Sequence, residues 1–319
     1  PTARAANERS MQELNAFIDG AARQRDALAS GASARLDPPT AFDLTFYVAP
    51  KAVHGPFLPA PWHEDEWRAD WQRRSPRKAW NMSAEARARH ASNIRSQRLL
   101  TTDAERVIDA IWRNRWRALL AVDDLVEALV DAVANHDLLA ETYFCFTSDH
   151  GFRLGQHNLL IGKRHPHDVD TRIPLVVRGP GIRPGSTIDA LVTNVDLAPT
   201  FAALAGLPPR DEWDGRSLRP LLFGEDVAWR DSIPIEYYFW SREVKCVAGC
   251  APDGGPNAAC AEGHCWGTDR TCEDDCYPVE LDEDNNFVAL RTRDALYVRY
   301  ATGDQHFSDV DFAAPAAHE

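Results

Sequence analysis

A long amphipathic segment followed closely by a short apolar run limits the folds open to this chain. In residues 103–135 apolar side chains recur at helical spacing, which predicts one long helix with a wide apolar stripe. The run from Thr142 to Phe146 resembles a strand buried on both faces, and Ile173–Val177 is a second such run, ended by a Gly-Pro-Gly turn. This alternation predicts an α/β fold, a three-layer sandwich with a mostly parallel sheet.

The rest of the chain predicts further elements around that core. Val195–Leu204 has the pattern of a helix, and residues 51–100, rich in Pro, Trp and Arg, predict an ordered but irregular insertion. After Gly206 the composition changes, so we expect a catalytic-type domain in residues 1–206 and a small C-terminal α+β subdomain with an antiparallel sheet in residues 207–319. The remaining predicted elements are a helix at 9–29 and strands at Phe42–Val48, Phe287–Leu290 and Leu296–Tyr300.

Charge and hydropathy exclude two classes of partner. The net charge is −13, so a nucleic-acid partner is not expected, because a phosphate backbone requires a basic face. No apolar run is long enough to cross a bilayer, so no transmembrane segment is expected either. An anionic substrate would need a local basic pocket within this acidic protein.

Cysteine usage favours an oxidising compartment. Six of the seven cysteines fall in residues 246–276, a Gly/Pro/Asp-rich insertion, and this density favours disulfides. Zinc binding by Cys246/Cys250 and Cys272/Cys276 is the alternative, although the three-residue spacing within each pair is not the commonest. Asn81-Met82-Ser83 is a glycosylation sequon. We therefore expect a secreted or lysosomal, extracytoplasmic protein, with no signal peptide visible in the printed sequence.

Three short segments carry candidate chemistry. Asp149 and His150 follow the strand that ends at Phe146, the place where α/β sheets bind ligands, and they could hold a metal. Lys163 lies in a basic cluster, Gly162-Lys163-Arg164-His165-Pro166-His167, that could bind a doubly charged anion. His54 lies in a proline-flanked loop after the Phe42–Val48 strand. Each segment taken alone fits an ordinary turn, a solvated loop or a structural histidine better than a functional site.

Together these segments resemble the sulfatase family of the alkaline-phosphatase-like superfamily. The resemblance follows several motifs in order from about residue 40 to residue 225. They are Ala49-Pro50 through His54-Gly55-Pro56, Val122-Asp123-Asp124-Leu125-Val126, Thr147-Ser148-Asp149-His150-Gly151, Gly162-Lys163, Arg178-Gly179-Pro180-Gly181, and Val195-Asp196-Leu197-Ala198-Pro199-Thr200. In the C-terminal part, Ile235-Glu236-Tyr237-Tyr238 and Val288-Ala289-Leu290-Arg291-Thr292 look most like the N-acetylglucosamine-6-sulfatase branch.

The resemblance implies a role for each candidate residue. Asp149 and His150 would ligate Ca²⁺, although many members have Asn where this chain has His150. His54 and Lys163 would be catalytic, binding the sulfate group and assisting departure of the alcohol. The substrate, a sulfated carbohydrate such as a glycosaminoglycan, would also meet other basic side chains. These are Lys51, His157, His165 and Arg172.

The resemblance also implies a nucleophile that the printed sequence does not supply. Family members attack sulfur with a formylglycine made in a C-x-P-x-R motif, and no cysteine here is followed by that pattern. We therefore expect an N-terminally truncated chain that contains the C-terminal part of the catalytic core and is inactive alone. Two alternatives remain open: a phosphodiesterase or phosphonate hydrolase of the same superfamily, and a non-catalytic glycosaminoglycan-binding relative.

Overall fold

The computed structural model describes residues 45–67, 79–238, 286–301 and 317–318, apart from single positions 56, 96, 98, 101 and 160. Helices and strands both occur, and the described residues confirm the predicted α/β class. The helices are α1 (Ala84–Arg87), α2 (Ser92–Arg95), α3 (Thr102–Asn135), α4 (Asp168–Thr171), α5 (Leu197–Leu204) and α6 (Arg219–Leu222). The strands are β1 (Phe144–Thr147), β2 (Arg153–Leu154), β3 (Ile161–Gly162), β4 (Leu175–Arg178), β5 (Ser232–Tyr237), β6 (Asn286–Thr292), β7 (Leu296–Ala301) and β8 (Ala317–His318).

The long predicted helix is confirmed as α3, which begins one residue before the predicted start. Its apolar stripe is used for packing: Ile108 is fully buried against Leu100 and Leu154, with Trp80 and Phe152 at the edge of the same cluster. Burial of one such side chain stabilises the fold by about 2 kcal/mol. None of the helices in the described ranges is both long and apolar enough to cross a membrane.

Strand direction differs from the prediction. Among the described residues, β1 pairs with β4 and β2 pairs with β3, and both ladders are antiparallel rather than parallel. The described part of the β1–β4 connection holds the short β2–β3 ladder and the four-residue α4, not the long crossover helix that parallel neighbours use. An apolar run predicts a buried strand but says nothing of its direction, so the sequence could not decide this point.

Two further predictions about apolar runs do not hold in the described residues. The predicted Phe42–Val48 strand is described only from residue 45 onward. Residues 45–50 form neither helix nor strand, and the Tyr47 side chain is exposed. A strand persists only when a neighbour pairs with its backbone, and no described strand lies beside this segment. In β1, predicted to be buried on both faces, Cys145 and Phe146 are exposed.

The C-terminal sheet confirms the predicted antiparallel arrangement. Its order is β5-β6-β7-β8, and β6 and β7 form a hairpin in which Thr292 binds Ala295 through backbone and side chain. Its core contains Phe287, Val298 and Tyr300, and Ala91 from the insertion packs against them. The sheet is therefore joined to the insertion through apolar contacts.

Some predictions fall on residues outside the described ranges. These are the helix at 9–29 and the cysteine cluster at 246–276. The sequon residue Asn81 is described: its backbone has φ of 47° and its side-chain oxygen accepts a 2.9 Å hydrogen bond from the Leu100 N–H. Ser83 of the same sequon caps α1 by accepting from the Ala86 N–H. Both polar side chains thus order the irregular insertion.

Candidate active site

Asp149 and His150 lie side by side at the carboxyl end of β1, as predicted. His150 Nε2 is 3.1 Å from Asp149 Oδ2, and the His150 N–H donates to Asp149 Oδ1 at 3.0 Å. Burial works to raise the pKa of Asp149, but the neighbouring His150 and three hydrogen bonds outweigh it and hold that pKa below its ordinary value. The Asp149 carboxylate is 79% exposed and therefore ionised and accessible at neutral pH.

This loop is anchored from two sides. The Asn194 side-chain amide donates to the Asp149 carbonyl at 3.1 Å, and the Gly151 N–H donates to the Asp170 carbonyl at 2.8 Å. A Cβ at Gly151 would lie 2.1 Å from the Val169 carbonyl oxygen. Glycine is required here because another backbone approaches closely, not because the turn needs a left-handed conformation.

A buried ion pair stabilises the loop that carries Asp149 and His150. Arg153 and Asp170 are both almost fully buried and paired, and Asp170 Oδ2 also accepts the His165 N–H at 2.9 Å. Burial raises the pKa of Asp170, and the Arg153 guanidinium opposes that rise. Sequence reasoning missed both residues, because Asp168 and Asp170 alternate along a four-residue helix and only the tertiary structure shows which one is buried.

Four imidazoles gather next to this ion pair. The His157 and His167 rings stack at 4.3 Å, the His165 ring lies 6.1 Å from His167, and the His90 ring lies 5.8 Å from His157. Burial, reinforced by neighbouring imidazoles and Arg153, lowers the pKa of His157 to about 4 and holds those of His165 and His167 well below their ordinary value. The cluster is therefore neutral at pH 7.

The burial of His165 does not favour the direct substrate contact that the resemblance implied. Its side chain is 2% exposed, and its ring lies inside the imidazole cluster. His157 is partly exposed, and its Nδ1 has no hydrogen-bond partner among the described residues. That Nδ1 is shielded from solvent, so the partly exposed edge of the His157 ring is the part that a ligand could reach, whereas His165 contributes to the support of the site.

The other predicted site residues lie on neighbouring loops. His54 and Lys51 are exposed in a turn closed by a 2.9 Å bond from the His54 N–H to the Lys51 carbonyl. Lys163 directly follows β3, and within the described ranges no hydrogen bond or ion pair holds its side chain. Arg172 follows the last residue of α4 and caps this helix, because its N–H donates to the Asp168 carbonyl at 2.9 Å. Among the predicted site residues in the described ranges, Asp149 and His150 contact each other through their side chains, whereas His54 and Lys51 meet through their backbones.

The α4 segment is also fixed by the C-terminal sheet. Both nitrogens at the tip of the Arg291 guanidinium lie about 3 Å from the Asp168 carboxylate, at 3.0 and 3.1 Å. Such a two-point ion pair is the most specific geometry that arginine offers a carboxylate. No local residue pattern predicts this contact, which joins positions 123 residues apart.

The donor atoms here suit calcium in part. Asp149 supplies exposed carboxylate oxygens, which calcium prefers, whereas His150 supplies a nitrogen. Within the described ranges no group of three or more His, Cys, Asp or Glu side chains is arranged to hold a metal ion. Asp149 therefore fits a calcium site as one of its ligands, and His150 fits it less well.

Comparison with known proteins gives a family and several relatives. The family model described as Sulfatase matches residues 13–207. The chain is 32% identical over 284 residues to an N-acetylglucosamine-6-sulfatase of Homo sapiens, a match that covers 85% of this chain and 47% of the relative. It is 40% identical over 133 residues to an extracellular sulfatase SULF-1 homolog of Drosophila melanogaster, covering 42% of this chain and 12% of that one.

One solved structure among those similar to this chain holds a sulfated sugar. It is described as a protein in complex with its substrate D-glucosamine-2-N,6-O-disulfate, with 25% identity and a TM-score of 0.47, and the match covers 61% of this chain and 32% of that chain. This chain spans less than half the length of the human relative.

Proposed function

Because the chain belongs to the sulfatase family, we propose that its protein hydrolyses the sulfate esters of sugars, with N-acetylglucosamine 6-sulfate units of glycosaminoglycans as substrate. The observation that carries this proposal is the ionised, accessible Asp149 carboxylate, held beside His150 at the carboxyl end of β1. The names of the human relative and of the Drosophila relative support the substrate class and an extracytoplasmic location.

Asp149 and His150 are the proposed ligands of Ca²⁺. When bound, calcium would hold a sulfate oxygen and stabilise the negative charge that develops there. The chain's own residues fix this position, because Asn194 and Asp170 hold the loop through its backbone. Formylglycine, the nucleophile that the family resemblance implies, has no C-x-P-x-R motif in the printed sequence.

Lys163 and His54 are the proposed catalytic side chains. The Lys163 ammonium can neutralise a sulfate group and donate hydrogen bonds to its oxygens. The His54 imidazole is exposed, and its Nδ1 lies 3.1 Å from the Gly55 carbonyl, to which it can donate; in the imidazolium form Nε2 also carries a proton, which it can give to the departing alcohol oxygen. Lys51, Arg172 and His157 are the proposed contacts to the rest of the sugar.

We expect Lys163→Ala to lower kcat/KM for a sulfated sugar at least about 100-fold, because one charge-assisted donor to the reacting oxygens is lost. The measurement is sulfate release from N-acetylglucosamine 6-sulfate by the natural gene product that contains this chain. Arg183→Ala, which removes an exposed cation beyond β4, is the matched control and should leave the rate unchanged. Hydrolysis of a phosphodiester but not of any sulfate ester would instead favour the phosphodiesterase alternative.

We expect Asp149→Ala to weaken calcium binding at least about tenfold, and His150→Asn to strengthen it, because calcium prefers oxygen to nitrogen ligands. The calcium concentration that raises the melting temperature of the same gene product measures this affinity without a substrate. Asp189→Ala removes an exposed carboxylate elsewhere and serves as the control. Unchanged calcium affinity in Asp149→Ala would exclude this carboxylate as a ligand.

A further inference from the structure

Two loops carry the proposed catalytic apparatus, and one side chain of α3 contacts both. The first loop is the turn from Lys51 to Phe57 that presents His54. The second is the Asp149–Phe152 loop that presents the proposed metal ligands. Arg115, in the middle of α3, reaches these two loops together.

The contacts of Arg115 are specific in geometry. Its Nη1 donates to the Val53 carbonyl at 3.1 Å, and its guanidinium lies over the Phe152 ring at 4.4 Å and near the Phe57 ring at 5.7 Å. The two rings also contact each other edge to face, with centroids 5.7 Å apart. Arg115 thus completes a small cluster made of one side chain from each loop and one from the helix.

The His54 turn needs an outside support of this kind. Phe57 has φ of 59°, a left-handed conformation that is unfavourable for a bulky residue. The Phe57 N–H donates to the His54 carbonyl at 3.1 Å, so this backbone conformation closes the turn that carries His54. Such strain persists where surrounding contacts impose it, and here the described contacts to the Phe57 ring come from Arg115 and Phe152.

The Asp149–Phe152 loop is held by contacts of its own, so it can serve as the fixed side against which Arg115 positions the His54 turn. Phe152 follows Gly151, whose N–H is bound to the Asp170 carbonyl, and Phe152 packs against the cluster around Ile108. An arginine is suited to join the two loops, because its planar guanidinium can lie on aromatic rings while an edge N–H still donates to a carbonyl. Lysine keeps the charge but lacks this planar surface.

We propose that Arg115 is a positioning residue that holds the His54 turn in register with the Asp149–Phe152 loop. It acts through His54 and does not itself contact substrate. The role assigned to His54 rests on the proposed function, whereas the structural coupling of the two loops does not.

The first test needs no activity. In the natural gene product that contains this chain, amide hydrogen exchange is compared between the natural sequence, Arg115→Leu and Arg115→Lys. We expect exchange of the Phe57 N–H to accelerate about tenfold or more in both variants, with the Gly151 N–H unchanged, because only the first depends on the Arg115 contacts. Arg113→Leu, which removes an exposed arginine from the same helix, is the matched control. Unchanged exchange at Phe57 in the variants would overturn the proposal even if the protein proves to be a sulfatase.

The second test uses the natural gene product and sulfate release. Arg115→Leu should lower kcat about 10- to 100-fold while KM changes less than about threefold, since misplacing a catalytic group affects mainly the chemical step. In a His54→Ala background, the same substitution should have almost no further effect. If Arg115→Leu lowers kcat by the same factor in the His54→Ala background as in the natural sequence, Arg115 does not act through His54. Absence of sulfatase activity in the natural protein would reject the proposed function and leave the exchange result to decide the loop coupling.

Discussion

Replacing Asp196 by alanine should lower the free energy of unfolding of this chain by about 3–5 kcal/mol, because the substitution leaves a cation and two N–H groups without their acceptor. Asp196 is fully buried, and its two oxygens accept from both terminal nitrogens of Arg230, at 2.6 and 2.8 Å. They also accept from the backbone N–H groups of Thr193 at 2.9 Å and Arg216 at 2.8 Å.

The charge state of Asp196 supports this expectation. Burial by itself would raise the pKa of Asp196, but the hydrogen bonds from Arg230, Arg216 and Thr193 prevail and hold that pKa below its ordinary value. The carboxylate is therefore ionised at neutral pH, and its backbone carbonyl accepts from the Thr200 hydroxyl at 2.6 Å. One side chain thus joins the start of α5 to two loops that follow it.

Urea unfolding of the purified chain measures the effect. Asp196→Asn keeps the shape of the side chain and one acceptor oxygen. It should therefore lower the free energy of unfolding by roughly half as much as Asp196→Ala. Asp189→Ala is the matched control, because Asp189 is 77% exposed and lies 3.7 Å from an exposed Arg293, a geometry worth at most about 1 kcal/mol. A loss below about 1 kcal/mol for Asp196→Ala would contradict the buried network.

The second large effect is a loss of stability on mild acidification. His157, His165 and His167 have folded-state pKa values below the value of about 6.5 expected for the unfolded chain. Above about pH 6.5 these three imidazoles are neutral in both the folded and the unfolded chain. Their lowered pKa values then contribute nothing to the free energy of unfolding. As the pH falls below about 6.5, the unfolded chain takes up protons that the folded cluster does not, so the folded state loses relative stability.

The magnitude follows from His157, whose pKa falls to about 4. Proton linkage at this one group removes about 2 kcal/mol of stability between pH 7.5 and pH 5, and the lowered pKa values of His165 and His167 add to that loss. The charged groups next to the rings are the Arg153–Asp170 pair, and the Arg153 cation opposes protonation further. No carboxylate other than Asp170 is identified beside the rings in the described ranges to favour the imidazolium form.

Urea unfolding at pH 7.5 and pH 5 tests this prediction. The double variant His157→Asn, His167→Phe removes two imidazoles; asparagine tolerates the φ of 59° at position 157, and phenylalanine keeps a ring at position 167. We expect the variant to show at most half of the natural chain's acid-induced loss. His54→Gln removes one exposed imidazole and should leave the loss unchanged. An equal loss in the double variant and the natural chain would show that carboxylates, not this cluster, cause the acid sensitivity.

The site was predictable from sequence to the extent that its chemistry is local. Asp149 and His150 are adjacent in the chain and follow an apolar run, so the sequence alone predicts that they lie together at the end of β1. The buried pair Arg153–Asp170 could not be predicted in this way, because burial distinguishes Asp170 from Asp168 and burial is a property of the packed molecule. The partial exposure of Lys163 and the burial of His165, two residues apart, were decided by the same packing.

Residue patterns alone predict the long helix α3, the α/β class, the C-terminal hairpin and the family, because periodicity and motif order are properties of neighbouring residues. Tertiary packing is what makes β1 and β4 antiparallel, leaves residues 45–50 without a strand, and requires Gly151 through the approach of Val169. It also decided that Arg115, Asn194 and Arg291 meet the site loops from distant parts of the chain. These outcomes depend on which backbone or side chain packs beside a given segment, and local residue patterns do not encode that information.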